Sequence, residues 1–181
     1  MPANPHSPVG DVSCRATGYS IQQLQRMKLP TAHLTHGLAW TLDELRNQSA
    51  SIPWDDYLVF LRNSHNDLSP DQVVELCTSY KGSSYFRPLL SAAGLWFHPA
   101  RYFERLADPE VGTIQQLYRC VSTRFTRIND REVLFEEVIK PGFAMPPDLL
   151  WEAHSIAFGA LTTYFGLAPS IVTWESIERG A

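Results

Sequence analysis

Hydrophobic residues recur with a helical period over most of the chain. In the stretch IPWDDYLVFLRNSHND, Trp54, Tyr57 and Leu61 follow one another at spacings of three and four. This spacing places their side chains on one face of a helix, as in a helix that buries one stripe against a core. Pro53 suits the start of such a helix, because its missing N–H group has no intrahelical partner there. The pattern predicts an amphipathic helix from about residue 53.

Two further helix starts are marked by capping boxes, in which a Ser or Thr and a Glu or Gln three residues later satisfy each other's backbone N–H groups. Thr41 with Glu44 predicts a short helix over LDEL. Ser69 with Gln72, and Pro70 at the first helical position, predicts a longer one. Both helices are expected to begin at these residues.

The stretch SSYFRPLLSAAGLWFHPARYFERL, residues 83–106, is the most apolar and aromatic part of the chain. Because proline disfavours a helical residue before it, this stretch predicts a helix from about Ser84 to Phe97 and a break at His98–Pro99. A second helix then follows over ARYFERLAD. The aromatic side chains form either the wall of an apolar pocket or the core of a small helical domain, and the pattern allows both.

Segments with the alternating pattern of β-strands follow in the second half of the chain. CVSTRFTRI and REVLFEEVI are rich in β-branched residues and are joined through Asn129-Asp130, which predicts an antiparallel hairpin over about 117–139. Glu136 and Glu137 are expected to pair across it with arginines on a solvated face. PPDLLWEAHSIAFGALTTYFG predicts a long helix that stops at Gly166, and SIVTWESI predicts a final strand.

These elements predict an α+β fold that is mainly helical. A small antiparallel sheet, formed by the hairpin and the C-terminal strand, is expected to pack against the helices. Residues 1–17 are rich in proline, glycine and small polar residues without a period, which indicates a flexible leader. Residues 18–181 are long enough for one hydrophobic core and are expected to form a single domain.

Composition and charge exclude several classes of function. A net charge of −4 without a basic run offers little to hold a phosphate backbone, so nucleic acid is not an expected partner. No stretch has the apolar length of a membrane span, and the N-terminus has no signal-peptide pattern, so we expect a cytoplasmic protein without membrane insertion. The three cysteines stand far apart, which argues against disulfides and against a cysteine zinc site.

No motif in the sequence indicates catalysis. The chain has neither a Gly-x-Ser-x-Gly elbow nor a Gly-x-Gly-x-x-Gly loop, and its six histidines form no metal-ligand motif. We therefore expect no enzyme activity and no metal site. Aromatic, histidine and cysteine residues on the elements that are expected to face one another are candidates for lining a mostly apolar ligand site: Trp96, His98, Tyr102, Cys120, Trp151, His154 and Phe158.

The order of these segments resembles a family of N-terminal sensory domains that precede histidine kinases and related output modules in myxobacteria and similar bacteria. The matching segments lie between about Gly37 and Val172: GLAWTLDELRNQSASIPWDDYLVFL, SYFRPLLSAAGLWFHPARYFERL, LYRCV and PPDLLWEAHSIAFGALTTYFGLAPSIV. Such domains are distantly similar to haem-nitric-oxide-binding and vinyl-reductase-like small-molecule-binding domains. The resemblance implies an input domain in which a ligand lies between helices and a small sheet.

Two departures from those domains concern cofactors. The haem-binding branch holds the propionates with Tyr-x-Ser-x-Arg, whereas here Ser122 and Arg124 follow Cys120, and the tyrosine, Tyr118, stands two residues early. The cysteine cluster of the zinc-containing relatives is missing. We therefore expect no cofactor, with haem disfavoured and structural zinc not carried over.

The leading hypothesis is a non-enzymatic bacterial signal-transduction domain that senses a small, mostly apolar ligand. It is expected to form a homodimer and to regulate an attached or partner output module, a kinase or a cyclase. Two alternatives remain. One is a ligand-free dimerisation or protein-interaction module, and the other is a haem-based gas sensor that would use His98 or His154.

Overall fold

The computed structural model describes residues 10–79, 83–85 and 99–175. The described helices are α1 (Cys14–Arg26), α2 (Leu42–Arg46), α3 (Trp54–His65), α4 (Pro70–Thr78), α5 (Pro99–Ala107), α6 (Thr113–Leu117) and α7 (Asp148–Leu161). The strands are β1 (Val12–Ser13), β2 (Ser51–Ile52), β3 (Val121–Arg127) and β4 (Val133–Ile139). Short 3-10 helices cover Ala32–Thr35 and Thr162–Phe165. The predicted α+β class is confirmed.

The N-terminal part of the chain is structured from an earlier residue than the sequence predicts. Strand β1 pairs antiparallel with β2, with Val12 opposite Ile52, and both side chains are fully buried. Helix α1 follows at once, capped by the Ser13 side chain. The prediction of a flexible leader through residue 17 was therefore wrong for residues 12–17. The partner of β1 is about forty residues away, and a local pattern cannot show it.

Both predicted capping boxes are present. In α2 the Thr41 hydroxyl accepts from the Glu44 N–H, and the Glu44 carboxylate accepts from the Thr41 N–H. In α4 Ser69 and Gln72 make the same reciprocal pair, with Pro70 at the first position. Four of the orphan N–H groups at the helix starts are thereby satisfied inside the chain.

The first hydrophobic cluster contains the buried faces of α1 and α3 together with β1, β2 and the start of β3. Trp54, the first residue of α3, is almost fully buried, and two hydrogen bonds fix it. Its backbone N–H donates to Asp11 Oδ2 at 3.0 Å, and its indole N–H donates to the Ala144 carbonyl at 2.7 Å. This second bond joins the start of α3 to the segment that enters α7.

The predicted hairpin is confirmed, with β3 and β4 paired from Val121 opposite Ile139 to Arg127 opposite Val133. It forms a sheet of its own, separate from the β1–β2 pair. On β3 the Thr123 hydroxyl donates to the Ala107 carbonyl at the end of α5, at 2.9 Å. One face of the hairpin therefore packs against helices, and the other face points outward.

A second, smaller cluster joins α5 to the end of α7. Its buried members are Tyr102, Phe103, Leu106 and Leu161. Phe158 packs against both clusters and so connects them. The helix predicted over ARYFERLAD is confirmed as α5, whereas the helix predicted from Ser84 to Phe97 and the break at His98 lie almost entirely outside the described residues.

The late helix ends as predicted, but the predicted C-terminal strand was wrong over its described part. After α7 and the 3-10 turn, Gly166 takes a left-handed conformation with a φ of 73°. Residues 170–175 then form no strand. Instead the Ser170 N–H donates to the Gly159 carbonyl at 2.8 Å, so this segment lies along α7. Side-chain pattern alone does not tell a strand from an extended segment without a strand partner.

Across the described ranges, no helix is long and apolar enough to cross a membrane.

Candidate functional site

A histidine and a glutamate from different elements form a pair at the inner face of the hairpin. The Nδ1 of His154, on α7, lies 2.9 Å from Oε2 of Glu137, on β4. The side chains are 16% and 9% exposed, respectively. Because an ionised carboxylate only accepts hydrogen bonds, the imidazole Nδ1–H is the donor.

Strand geometry explains why Glu137 points inward while its neighbour points outward. Successive strand residues face opposite sides, and Glu137 lies directly opposite Thr123, on the face that packs against helices. Glu136 lies opposite Arg124 on the outer face, where Arg124 Nε is 3.8 Å from Glu136 Oε2. The predicted cross-strand pairing is therefore confirmed for Glu136 and wrong for Glu137.

Aromatic rings surround the His154 imidazole. Its centroid lies 5.5 Å from the ring of Tyr118, 6.2 Å from Trp151 and 5.9 Å from Phe158. Phe135, two residues before Glu137 on the same strand face, packs on Phe158 at 4.9 Å. The ion pair is therefore set in a largely apolar environment, where a charge interaction is stronger than in water.

Two opposing effects determine the protonation of His154. Burial lowers the pKa of the imidazole, but the negative charge and the hydrogen bond of Glu137 outweigh burial, so the pKa lies above its ordinary value. The charged form of His154 is therefore favoured in the folded chain.

One oxygen of this buried pair has no partner. Oε1 of Glu137 is inaccessible to solvent and accepts no hydrogen bond from the described part of the chain. A buried carboxylate oxygen without a donor is costly, since it has lost its hydration without compensation. Such an atom calls for a donor, which a bound water or a ligand group could supply.

A second polar contact extends from the site into the core. The hydroxyls of Tyr57, on α3, and Tyr118 share a hydrogen bond of 3.0 Å. Burial raises the pKa of Tyr57 to about 12, so its hydroxyl is neutral near pH 7. Cys120 lies close enough to affect the Tyr57 hydroxyl electrostatically, and burial raises the pKa of its own thiol to about 12. Cys120 is therefore a protonated thiol and a poor nucleophile.

The structure brings together some of the seven predicted site residues. Trp151, His154 and Phe158 lie on one side of α7, where the ring of His154 contacts the rings of the other two. Cys120 is fully buried in the first cluster, near Tyr57. Tyr102 belongs to the second cluster, where its buried hydroxyl has no partner among the described residues. Trp96 and His98 lie outside the described residues.

Sequence reasoning missed three residues at this site: Phe135, Glu137 and Tyr57. Phe135 and Glu137 could have been found from period two, which places them on one strand face with Ile139. The sequence did not show whether Glu136 or Glu137 faces the helices, because that depends on the register of the hairpin against α7. Tyr57 looked like an ordinary member of a buried helix stripe.

The residues that correspond to the haem-propionate motif do not line this site. Ser122 and Arg124 lie on the outer face of the hairpin, opposite Val138 and Glu136, and Arg124 is largely exposed. They point away from His154, so the motif positions do not fit a haem beside it. Within residues 10–79, 83–85 and 99–175, no group of three or more His, Cys, Asp or Glu side chains is arranged to hold a metal ion.

Comparisons with protein-family models, with curated proteins and with solved structures give no match to this chain.

Proposed function

We propose that this chain is a non-enzymatic signal-transduction input domain that binds a small, mostly apolar ligand beside the His154–Glu137 pair. The observation that carries the proposal is the buried Oε1 atom of Glu137, which accepts no hydrogen bond from the described residues and belongs to a pair whose imidazole is surrounded by aromatic rings. Ligand sites combine apolar walls with a few fixed polar groups that orient the ligand. The aromatic rings supply the walls, and the carboxylate supplies the fixed polar group.

The position of the site suggests how occupancy is transmitted. Glu137 belongs to the hairpin and His154 to α7, so a ligand beside this pair alters how these two elements pack. α7 also packs against α4, and the segment after residue 166 lies along it. A ligand that binds one packing more tightly than another shifts the equilibrium by that difference in affinity. The resemblance to sensory domains makes a kinase or cyclase module the proposed recipient, in a homodimeric assembly in the cytoplasm.

A ligand screen with matched tryptophan variants tests this proposal. Wild type, Trp151→Leu and Trp174→Leu are heated with members of a library of small apolar compounds. Trp151 contacts His154, whereas Trp174 is 43% exposed and lies in the C-terminal segment. A ligand at 100 times its Kd stabilises the folded state by about 2.7 kcal/mol. We expect such stabilisation in wild type and Trp174→Leu, and at least a tenfold loss of affinity in Trp151→Leu.

Two results would contradict the proposal. One is that no compound stabilises the wild-type chain. The other is that Trp151→Leu and Trp174→Leu bind every active compound as tightly as wild type does, which would place binding elsewhere.

A second candidate function, a protein-interaction module, is favoured by exposed apolar side chains away from this site. On the outer face of the hairpin Leu134 and Val138 are exposed, and in the C-terminal segment Leu167, Ile171 and Trp174 are exposed, Ile171 to 95%. Exposed apolar groups of this kind are found at contact surfaces. If this function is the correct one, Leu134→Lys and Ile171→Lys abolish self-association in sedimentation while ligand binding is absent throughout.

A further inference from the structure

The charge and position of Glu137 indicate a chemical class of ligand. Building on the function proposed above, we propose that the site binds a small organic ammonium ion with an apolar body, in exchange for a proton on His154. The ammonium group donates to Oε1 of Glu137, and the apolar body lies against the surrounding rings.

Because Glu137 offers a hydrogen-bond acceptor with a negative charge, it favours a cationic ligand over a neutral or an anionic one. Its side chain is about nine-tenths buried, Oε2 is taken by His154, and Oε1 has no donor among the residues that the structure describes. An anionic ligand offers that oxygen only another acceptor and a repulsive charge. A hydroxyl offers one neutral donor. An ammonium group offers donors and a full positive charge, and such charge-assisted hydrogen bonds are about twice as strong as neutral ones.

The aromatic side chains favour the same class. The rings of Tyr118, Trp151 and Phe158 lie around His154, and Phe135 packs on Phe158. Ring faces attract cations through their quadrupole, and they also bury apolar carbon. An ammonium ion on a hydrocarbon or aromatic body can use both properties, whereas a neutral ligand uses only the second.

Charge balance explains the exchange. The imidazolium and the carboxylate together are neutral, so adding a cation beside them would leave one uncompensated positive charge in a buried site, which is costly. When His154 releases its Nε2 proton to solvent, the neutral imidazole keeps its Nδ1–H donor on Glu137 Oε2. The carboxylate then neutralises the ammonium ion. One cation enters and one proton leaves.

No other charged group takes part in this exchange among the described residues that face the pair. From β4 the facing group is Glu137, and from the end of α6 it is Tyr118. On α4, which packs against α7, Asp71 and Glu75 are exposed, and the Cys77 thiol lies near Tyr19 and Tyr57. Arg124 and Glu136 on the hairpin belong to the outer face. The released proton is therefore assigned to His154.

Three probes of nearly the same shape test the ligand class: phenethylamine, phenethyl alcohol and hydrocinnamate, which carry a cation, a hydroxyl and an anion. Binding is measured by isothermal titration calorimetry on the full chain from about pH 5.5 to 8.5. We expect phenethylamine to bind at least tenfold more tightly than either other probe at pH 8. Its affinity should rise about tenfold per pH unit below the folded pKa of His154 and level off above it.

A matched pair of variants tests the position. Glu137→Gln keeps the shape of the side chain and removes its charge, and we expect at least a tenfold loss of phenethylamine affinity. Glu136→Gln makes the same change one residue away on the outer face, and we expect wild-type affinity. The pH dependence is measured on the unmodified chain, so it decides the question even if Glu137→Gln does not fold.

Three outcomes would overturn the inference. Tighter binding of the alcohol or of the acid overturns the ammonium class but leaves the proposed function standing, because a small molecule still binds. Phenethylamine affinity that does not vary with pH overturns the exchange with His154. If none of the three probes binds, the inference fails, and the proposed function is then judged separately by whether the library screen gives any ligand.

Discussion

Two titratable side chains, His154 and Glu137, account for most of the chemistry of the site. Neither is unusual alone, since a partly buried histidine on a helix and a glutamate on a strand are common. Their combination is informative because aromatic rings surround the imidazole and one carboxylate oxygen has no donor among the described residues. An acceptor held in this way is prepared for a ligand before the ligand arrives.

Stability should depend on pH through this pair. The pKa of His154 is raised above its unfolded value near 6.5, so its contribution to the free energy of unfolding is fully present below about pH 6.5. The contribution is lost as the pH rises through the folded pKa. We expect Glu137→Gln to lower the free energy of unfolding by about 2 kcal/mol near pH 6, and by less near pH 9. Urea denaturation at several pH values measures this difference.

The neighbouring variant Glu136→Gln is the control. Its exposed pairing with Arg124 should contribute less than about 1 kcal/mol and show no pH dependence between pH 6 and 9. Burial also lowers the pKa of His65. His65 is present in wild type, Glu137→Gln and Glu136→Gln, so its contribution cancels when their free energies of unfolding are compared. A difference between wild type and Glu137→Gln that is constant across this range would contradict the assignment of charge to His154.

Part of the site could be predicted from the spacing of individual residues in the sequence. Trp151, His154 and Phe158 follow one another at spacings of three and four, so a helical period places them together without a structure. Glu137 was not predictable. A shift of one residue in register would have exchanged it with Glu136, and the register against α7 depends on contacts distant in sequence.

Among the elements, α4 packs against α7, the helix that carries His154. Its start is fixed by Ser69 and Gln72. We expect Ser69→Ala to lower the free energy of unfolding by about 1 kcal/mol, since it removes the acceptor for the Gln72 N–H. Ser69→Asp, which supplies another good capping acceptor, should restore most of the loss. Thermal denaturation followed by circular dichroism compares the three proteins.

If Ser69→Asp were as unstable as Ser69→Ala, the loss would not come from the cap.

The connection between α5 and α6 depends on a close approach at Gly112. A Cβ atom on this residue would overlap with the carbonyl oxygens of Asp108 and Leu106. Its φ of −65° is ordinary, so the constraint is contact and not backbone conformation. We expect Gly112→Ala to lower the free energy of unfolding by about 2 kcal/mol, because backbone atoms must move to make room for the added Cβ. It should also weaken ligand binding, since α6 leads directly to Tyr118.

Val111→Ala, an exposed change at the adjacent residue, is the control and should stay within about 0.5 kcal/mol of wild type. Chemical denaturation measures both variants. Equal stability of Gly112→Ala and Val111→Ala would show that this turn has room for a side chain.

The elements themselves were predictable where local signals decide them and not where distant contacts do. The two capping boxes and the hairpin turn are local, and α2, α4 and the β3–β4 pair appear where they were expected. Strand β1 has two residues and exists because β2 lies beside it. The segment 170–175 has β-type residues, but Ser170 bonds to the backbone of α7 and not to a neighbouring strand.

For the whole molecule, the two hydrophobic clusters meet at Phe158, one turn after His154 on α7. The ring of Phe158 contacts His154, Phe135 and Phe103. The proposed ligand beside His154 would therefore act on a residue that connects α5, the hairpin and the main core. In packed interiors a displacement of this kind is passed on, because there is little free volume to absorb it.

Native mass spectrometry of the gently purified protein shows whether the chain holds a small molecule. A denatured sample run beside it identifies anything released. We expect one small molecule per chain, lost on denaturation and absent or reduced in Glu137→Gln but retained in Glu136→Gln. A dimer with no bound molecule, together with no stabilising compound in the library screen, would contradict it and favour the interaction module.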